Sequence, residues 1–129
     1  APARTFCFLS EIEMLKEQGL IKGGGLDNAL VIIDKKIDEI EINRLRDLFG
    51  IEEDIAKGSN GLLNGKILRF KNEPVRHKTL DLIGDIALLG VPIIGHITAA
   101  RAGHASNVEF VKKLKKVYAK ELEQLWKDD

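Results

Sequence analysis

The chain has a single cysteine, Cys7, which excludes an intrachain disulfide and fits a reducing compartment. Aromatic side chains are scarce: five phenylalanines, one tyrosine and one tryptophan. Net charge is absent too, with 20 basic side chains against 20 acidic ones. These two shortages argue against a nucleic-acid binder and against attraction to an anionic membrane. No apolar run is long enough to span a bilayer and none reads as a secretory signal, so a cytoplasmic protein is expected. There is no internal repeat and no low-complexity linker. The chain opens at Ala1-Pro2-Ala3 without an initiator methionine, as a processed product or an excised piece would.

What is present describes a folded protein. Its 129 residues suit one domain with one core, and 44% hydrophobic with 31% charged residues is a globular balance. Residues 4–8 read as a short strand. Residues 9–18 follow a helical period through Leu9, Ile12 and Leu15, with Gly19 as a stop. Gly23-Gly24-Gly25 turns the chain into the apolar run Asn28–Ile33, a second strand. The opening is thus a small β-α-β unit. Residues 39–49 form an amphipathic helix with Ile42, Leu45, Leu48 and Phe49 on one face.

Turn residues follow at 58–65, and Ile67–Phe70 is expected to be a strand. Pro74 opens a helix that runs to Leu89, ended by Gly90 and Pro92. Ile93–Ala99 reads as a further strand. Ser106-x-x-Glu109 resembles a capping box opening one long helix with Val108, Val111, Leu114, Tyr118, Leu122 and Leu125 on one face, its stripe capped by Trp126. Strands and helices mix without strict alternation, so the expected class is α+β.

Three segments carry side chains suited to chemistry. In Arg76–Asp85, His77 and Asp81 lie four residues apart on one helical face, and Asp85 falls one turn further along it. The rest of that helix is apolar almost all round, which predicts burial on most sides. Buried ionisable groups need partners. His77 and Asp81 could ligate a zinc ion or simply bond each other, and two ligands fall short of the three that catalytic zinc usually takes. In Ala100–Asn107, His104 sits on a glycine-flanked loop. It could be a general acid or base, an ordinary loop histidine, or, on residue chemistry alone, the third metal ligand. Thr5, at a strand edge, can donate a hydrogen bond.

Other features are discounted. Gly23–Gly25 lacks the Lys-Ser/Thr of a phosphate loop and reads as a tight turn. Lys112, Lys113, Lys115, Lys116 and Lys120 form a solvated helix face. Cys7 is a small buried side chain, and His96 a satisfied core residue.

Taken in order, Ala3–Phe6, Gly23–Val31, Leu68–Lys78, Asp81, Gly84-Asp85, Leu89-Gly90, Ile94–His96 and Gly103–Asn107 resemble the second half of the zinc-dependent UDP-3-O-acyl-N-acetylglucosamine deacetylases of lipid A synthesis. The resemblance implies two similar domains, each a β-sheet packed on helices, with the active site between them. Residues 1–129 would be the second domain, a two-layer sandwich of sheet on helices. Residues 5–33 would be a β-α-β insert forming a passage for the acyl chain.

The resemblance also implies roles. His77 and Asp81 match zinc ligands, His104 the general acid for the leaving amine, and Asp85 its carboxylate partner. Thr5 matches the threonine that steadies the oxyanion, Phe6 an aromatic near the sugar, and Lys78 a substrate-binding lysine. Arg101 stands where lysine is common and could meet the UDP diphosphate bidentately. Leu9, Ile12, Ile21, Leu26 and Val31 would line the acyl passage, and Gly24 would also belong to the substrate-binding residues.

Cys7 departs from the usual glycine and Gly25 from a common serine, while residues 34–66 look longer than in many members and have no assigned role. The third zinc ligand and the general-base glutamate would come from a first domain absent here, so this piece alone is expected to bind zinc weakly and not turn over. The rival expectation is a non-catalytic α+β module whose Thr5–Val31 groove binds an acyl chain or a protein partner. A third is a segment of a longer bifunctional chain fused to a dehydratase.

Overall fold

The computed structural model describes residues 2–50 and 60–125, so the expected role of Trp126 lies outside the described residues. The chain divides into two units, Ala1–Pro74 and Val75–Asp129. Two strands and five α-helices among the described residues make it an α+β chain.

In the first unit, β1 (Thr5–Phe8) runs parallel to β2 (Ala29–Ile32), with Thr5 opposite Ala29 and Phe8 opposite Ile32. Parallel neighbours need a crossover. A 3-10 turn at Leu9–Glu11 and helix α1 (Ile12–Glu17) supply it, so the strand–helix–strand opening is present as expected. The glycine turn that follows is held by Asn28. Its Nδ2 donates to the Gly23 carbonyl at 2.7 Å and its Oδ1 accepts from the Gly25 N–H at 2.8 Å. Those bonds occupy the Gly25 N–H, one of the groups a phosphate loop would offer, in line with a tight turn.

Helix α2 (Glu39–Phe49) starts where the Asp38 side chain accepts from the Glu41 N–H at 2.8 Å. It stops at Gly50, whose φ of 64° is left-handed backbone that favours glycine. Its apolar stripe is the one read from the sequence. Leu45 joins Leu9, Ile12, Leu26, Val31 and Leu63 in one buried cluster, and Ile42, Leu48 and Phe49 pack against it. Each such burial contributes about 1.5–3 kcal/mol. Charged groups tie α2 to α1: Arg44 pairs with Glu13, and the Lys16 ammonium donates to the Leu48 carbonyl.

Ile67–Phe70 is not a strand. Its backbone groups are taken by side chains instead of a ladder: the Ile67 carbonyl accepts from Arg4 Nη2 at 2.7 Å, and the Arg69 N–H donates to Glu73 at 2.7 Å.

Helix α3 (Glu73–Ala87) begins at the end of the first unit and continues into the second. There it is followed by α4 (His104–Val117) and α5 (Ala119–Leu125). Four expectations are corrected in this unit. Ile93–Ala99 forms no strand, because apolar sequence makes a strand only with a pairing neighbour, and none exists for it among the described residues. Ile94 and His96 are accordingly exposed, so His96 is not a core residue. The single long helix is two, broken at Tyr118, and of its expected stripe Val111 is buried while Tyr118 and Leu125 are exposed. Helix α3 is not enclosed either: Val75, Leu80 and Ile83 stand exposed. The five lysines assigned to a solvated face are exposed. No helix among the described residues is long and apolar enough to cross a membrane.

Candidate active site

One face of α3 carries His77, Asp81 and Asp85, spaced a turn apart, and the first turn of α4 brings His104 and Asn107 to them. The start of α4 decides this placement. Gly103 is the N-cap, and its N–H donates at 3.1 Å to the hydroxyl of Ser106, which sits at the third helical position and not at the cap expected of it. His104 is therefore the first residue of a helix and not part of a loop. Asn107, one turn on, faces the same way.

His104 Nδ1 lies 2.9 and 3.1 Å from the two oxygens of Asp85. Its Nε2 lies 3.9 Å from Asp81 Oδ2. The His104 ring is 70% exposed, whereas the Asp85 carboxylate is 14% exposed. The Asn107 amide donates to Asp85 Oδ2 at 2.8 Å and is itself buried. The amide of Asn107, followed by His104, holds the Asp85 carboxyl below its usual range against the opposing effect of burial. An ionised Asp85 can only accept, so Nδ1 is the His104 nitrogen suited to donate to it.

His77 Nε2 stands 3.5 Å from Asp81 Oδ1, both side chains mostly shielded from solvent. A good direct hydrogen bond would close to about 2.9 Å. Two ligands of a tetrahedral zinc ion at about 2.0–2.2 Å stand about 3.4 Å apart, so this pair has the donor types and the spacing of half a zinc site. The residue-chemistry option that His104 completes a three-ligand set is not met, since no group of three ligating side chains converges among the described residues. Its Nδ1 is engaged by Asp85 instead.

Lys78 follows His77 and is exposed. Arg101 is exposed and adopts a φ of 52°, left-handed backbone that costs a non-glycine residue roughly 1–2 kcal/mol. In the first unit, Thr5 is exposed at the start of β1 and Phe6 half-buried beside it. Leu9, Ile12, Leu26 and Val31 are brought together, with Ile21 against them, but packed shut on one another and on Leu45. At Gly24, an added Cβ would come within 2.8 Å of Ile21 Cγ2, so only glycine fits that approach without a shift. Cys7 is half-buried, and burial raises its thiol pKa.

Sequence reasoning gave no separate role to two buried polar side chains, Asn107 and Glu73. Asn107 was visible only as part of a motif, although its position three residues after His104 places it on the same helical face. Glu73, a fully buried acid, was likewise visible only inside a motif, and its pairing gave no signal because its partner Arg4 is 69 residues away.

The chain matches the profile of the family described as UDP-3-O-acyl N-acetylglycosamine deacetylase over residues 1–49 and 49–116. It is 58% identical over 117 residues to a protein of Chlorobaculum tepidum named bifunctional enzyme LpxC/FabZ, covering 90% of this chain and 25% of that protein. A protein of the same name from Bacteroides thetaiotaomicron is 47% identical over 116 residues, with the same coverage of 90% and 25%. The UDP-3-O-acyl-N-acetylglucosamine deacetylase of an Anaeromyxobacter species is 45% identical over 114 residues, 88% of this chain and 29% of that protein. The chain thus spans about a quarter of the length of the relatives it matches.

Proposed function

The chain belongs to the UDP-3-O-acyl N-acetylglycosamine deacetylase family, and from that membership we propose that it supplies half of an active site that removes the N-acetyl group of UDP-3-O-acyl-N-acetylglucosamine in lipid A synthesis. The observation that carries the reading is the His104–Asp85–Asn107 relay beside the His77–Asp81 pair. A proton donor, the carboxylate that orients it and two metal-ligating side chains are what amide hydrolysis on a metal requires.

His77 and Asp81 would hold zinc, together with a ligand that the resemblance places outside this chain. When bound, zinc supplies Lewis acidity that polarises an amide carbonyl and makes water acidic. Water adds to the acetyl carbonyl, its proton passing to a carboxylate that the resemblance places outside this chain. The Thr5 hydroxyl donates to the developing oxyanion. On collapse, His104 Nε2 delivers a proton to the departing amine, while Asp85 keeps the ring in the required orientation and Asn107 keeps Asp85 in place. Acetate and a free amino sugar result.

Lys78 and Arg101 face the charge of the UDP diphosphate, and Phe6 lies against the sugar. The acyl chain takes the apolar face built from Leu9, Ile12, Ile21, Gly24, Leu26 and Val31, where each buried methylene contributes about 0.8 kcal/mol. That face must open to admit it. The reaction has a cytoplasmic setting.

Calorimetric zinc binding tests the reading, on this chain and its His77→Ala variant, with and without the remainder of the enzyme. Tight binding that needs both parts and His77 supports a shared deacetylase site. Binding by neither arrangement favours a non-catalytic module that holds an acyl chain or a protein partner. The likeness to two relatives named as bifunctional supports a second element: the native polypeptide is a longer bifunctional chain, which the length of its gene decides.

A further inference from the structure

Glu73 is fully buried, yet nothing in the proposed chemistry uses it. Its carboxylate accepts four hydrogen bonds. Three come from Arg4: the main-chain N–H at 2.9 Å, Nε at 2.9 Å and Nη2 at 3.1 Å. The fourth comes from the Arg69 main-chain N–H at 2.7 Å. Arg4 Nη2 also donates to the Ile67 carbonyl at 2.7 Å, and Arg69 Nη1 reaches the Pro2 carbonyl at 2.9 Å. The peptide that enters Thr5 is thereby held on its main chain, on its own side chain and at the residue two before it.

An apolar pair of similar volume would stabilise this spot at least as well, because a buried ion pair repays its desolvation poorly. Glu73 offers an apolar filler's packing plus a fixed direction, since a fork of two parallel bonds to Arg4 defines orientation as well as distance. Thr5 needs that direction. It stands exposed at the first position of β1, where a strand would otherwise fray, and a donor to an oxyanion must be held to within about 0.5 Å.

We propose that Glu73 and Arg4 are positioning residues for Thr5, locking the strand start from which its hydroxyl reaches the reacting carbonyl. The proposal rests on the deacetylase reading of Thr5.

The test is steady-state kinetics of the full-length enzyme on UDP-3-O-acyl-N-acetylglucosamine, with bound zinc measured alongside, in a cycle of Thr5→Ala, Glu73→Gln and the double variant. In Glu73→Gln an amide nitrogen confronts donors that need an acceptor. Its kcat should fall roughly 100-fold, with KM and zinc content little changed, as a misplaced donor loses transition-state stabilisation and not binding. In the Thr5→Ala background the same change should cost no more than about twofold, because its route of action is gone. Arg4→Lys keeps the charge and the main-chain bond but loses the fork. It should show the same pattern in weaker form, and it carries the cycle if Glu73→Gln fails to fold. An unchanged kcat, or an equal loss with and without Thr5, overturns the proposal. A wild-type enzyme that releases no acetate overturns the deacetylase reading itself, which the cycle alone does not.

Discussion

Replacing Glu73 with glutamine should remove a pH-dependent part of the first unit's stability. The Arg4 side chain, helped by the main-chain N–H groups of Arg4 and Arg69, pulls the Glu73 carboxyl down to about 2 from its ordinary 4.5. Because the folded-state value is the lower one, the stabilisation is complete above pH 4.5 and is lost as the pH falls from there through about 2. At about 1.4 kcal/mol per tenfold change in proton affinity, it amounts to on the order of 3 kcal/mol. Glutamine forfeits it at every pH and leaves Arg4 poorly paired, so the loss near neutrality should be about 3–5 kcal/mol.

The assay is urea unfolding followed by circular dichroism, for wild type and variant, between pH 7 and pH 2. Asp34, Asp85 and Glu109 are also held low and titrate in both proteins, so the difference between the two isolates Glu73. That difference should be largest near neutrality and shrink steadily below pH 4.5. A difference that stays constant down to pH 2 would refute the assignment of this ion pair.

Three more outcomes are expected. Leu45→Ala should cost about 2–5 kcal/mol in urea unfolding by opening a cavity in the cluster of the first unit, while Ile40→Ala on the exposed face of the same helix should change stability by no more than about 0.5 kcal/mol. Asn107→Ala should raise the Asp85 pKa, since the Asn107 amide is the main cause of its lowering. The acid limb of kcat/KM for the full-length enzyme should then move to higher pH, and an unmoved limb would place Asp85 outside the chemistry. Gly24→Ala should cost about 1–3 kcal/mol in thermal or urea unfolding, because its new methyl group meets a branched carbon of Ile21.

Features set within a few residues were legible in the chain. Helix α2 occupies 39–49 as read, because its apolar stripe, its Asp38 cap and its Gly50 stop all act over one or two turns. The β-α-β opening follows from glycine turns between apolar runs. The alignment of His77, Asp81 and Asp85 needed only a helix, and the contact between Asp85 and His104 was expected from the resemblance. Other features were illegible for a common reason. Ile67–Phe70 and Ile93–Ala99 have the apolar content of strands, but strand formation is a question of neighbours. The exposed Val75 and Ile83 of α3 have the same composition as core residues, and what covers such a face is not written in it.

By itself the sequence determined the stripe and bounds of α2, the glycine turn of the first unit, the α+β class and which ionisable side chains share a helical face. Each depends on spacings of two to four residues, which chain geometry imposes regardless of surroundings. Tertiary structure alone decided that Ile67–Phe70 spends its backbone bonds on Arg4 and Glu73, that Asn107 supports Asp85, and that Leu45 closes the cluster around Leu9 and Ile12. Apart from the Arg69–Glu73 bond, each of these joins groups 22 or more residues apart. A hydrogen-bond donor does not encode its acceptor, and an apolar side chain does not encode its neighbour; folding pairs them by where the elements come to rest.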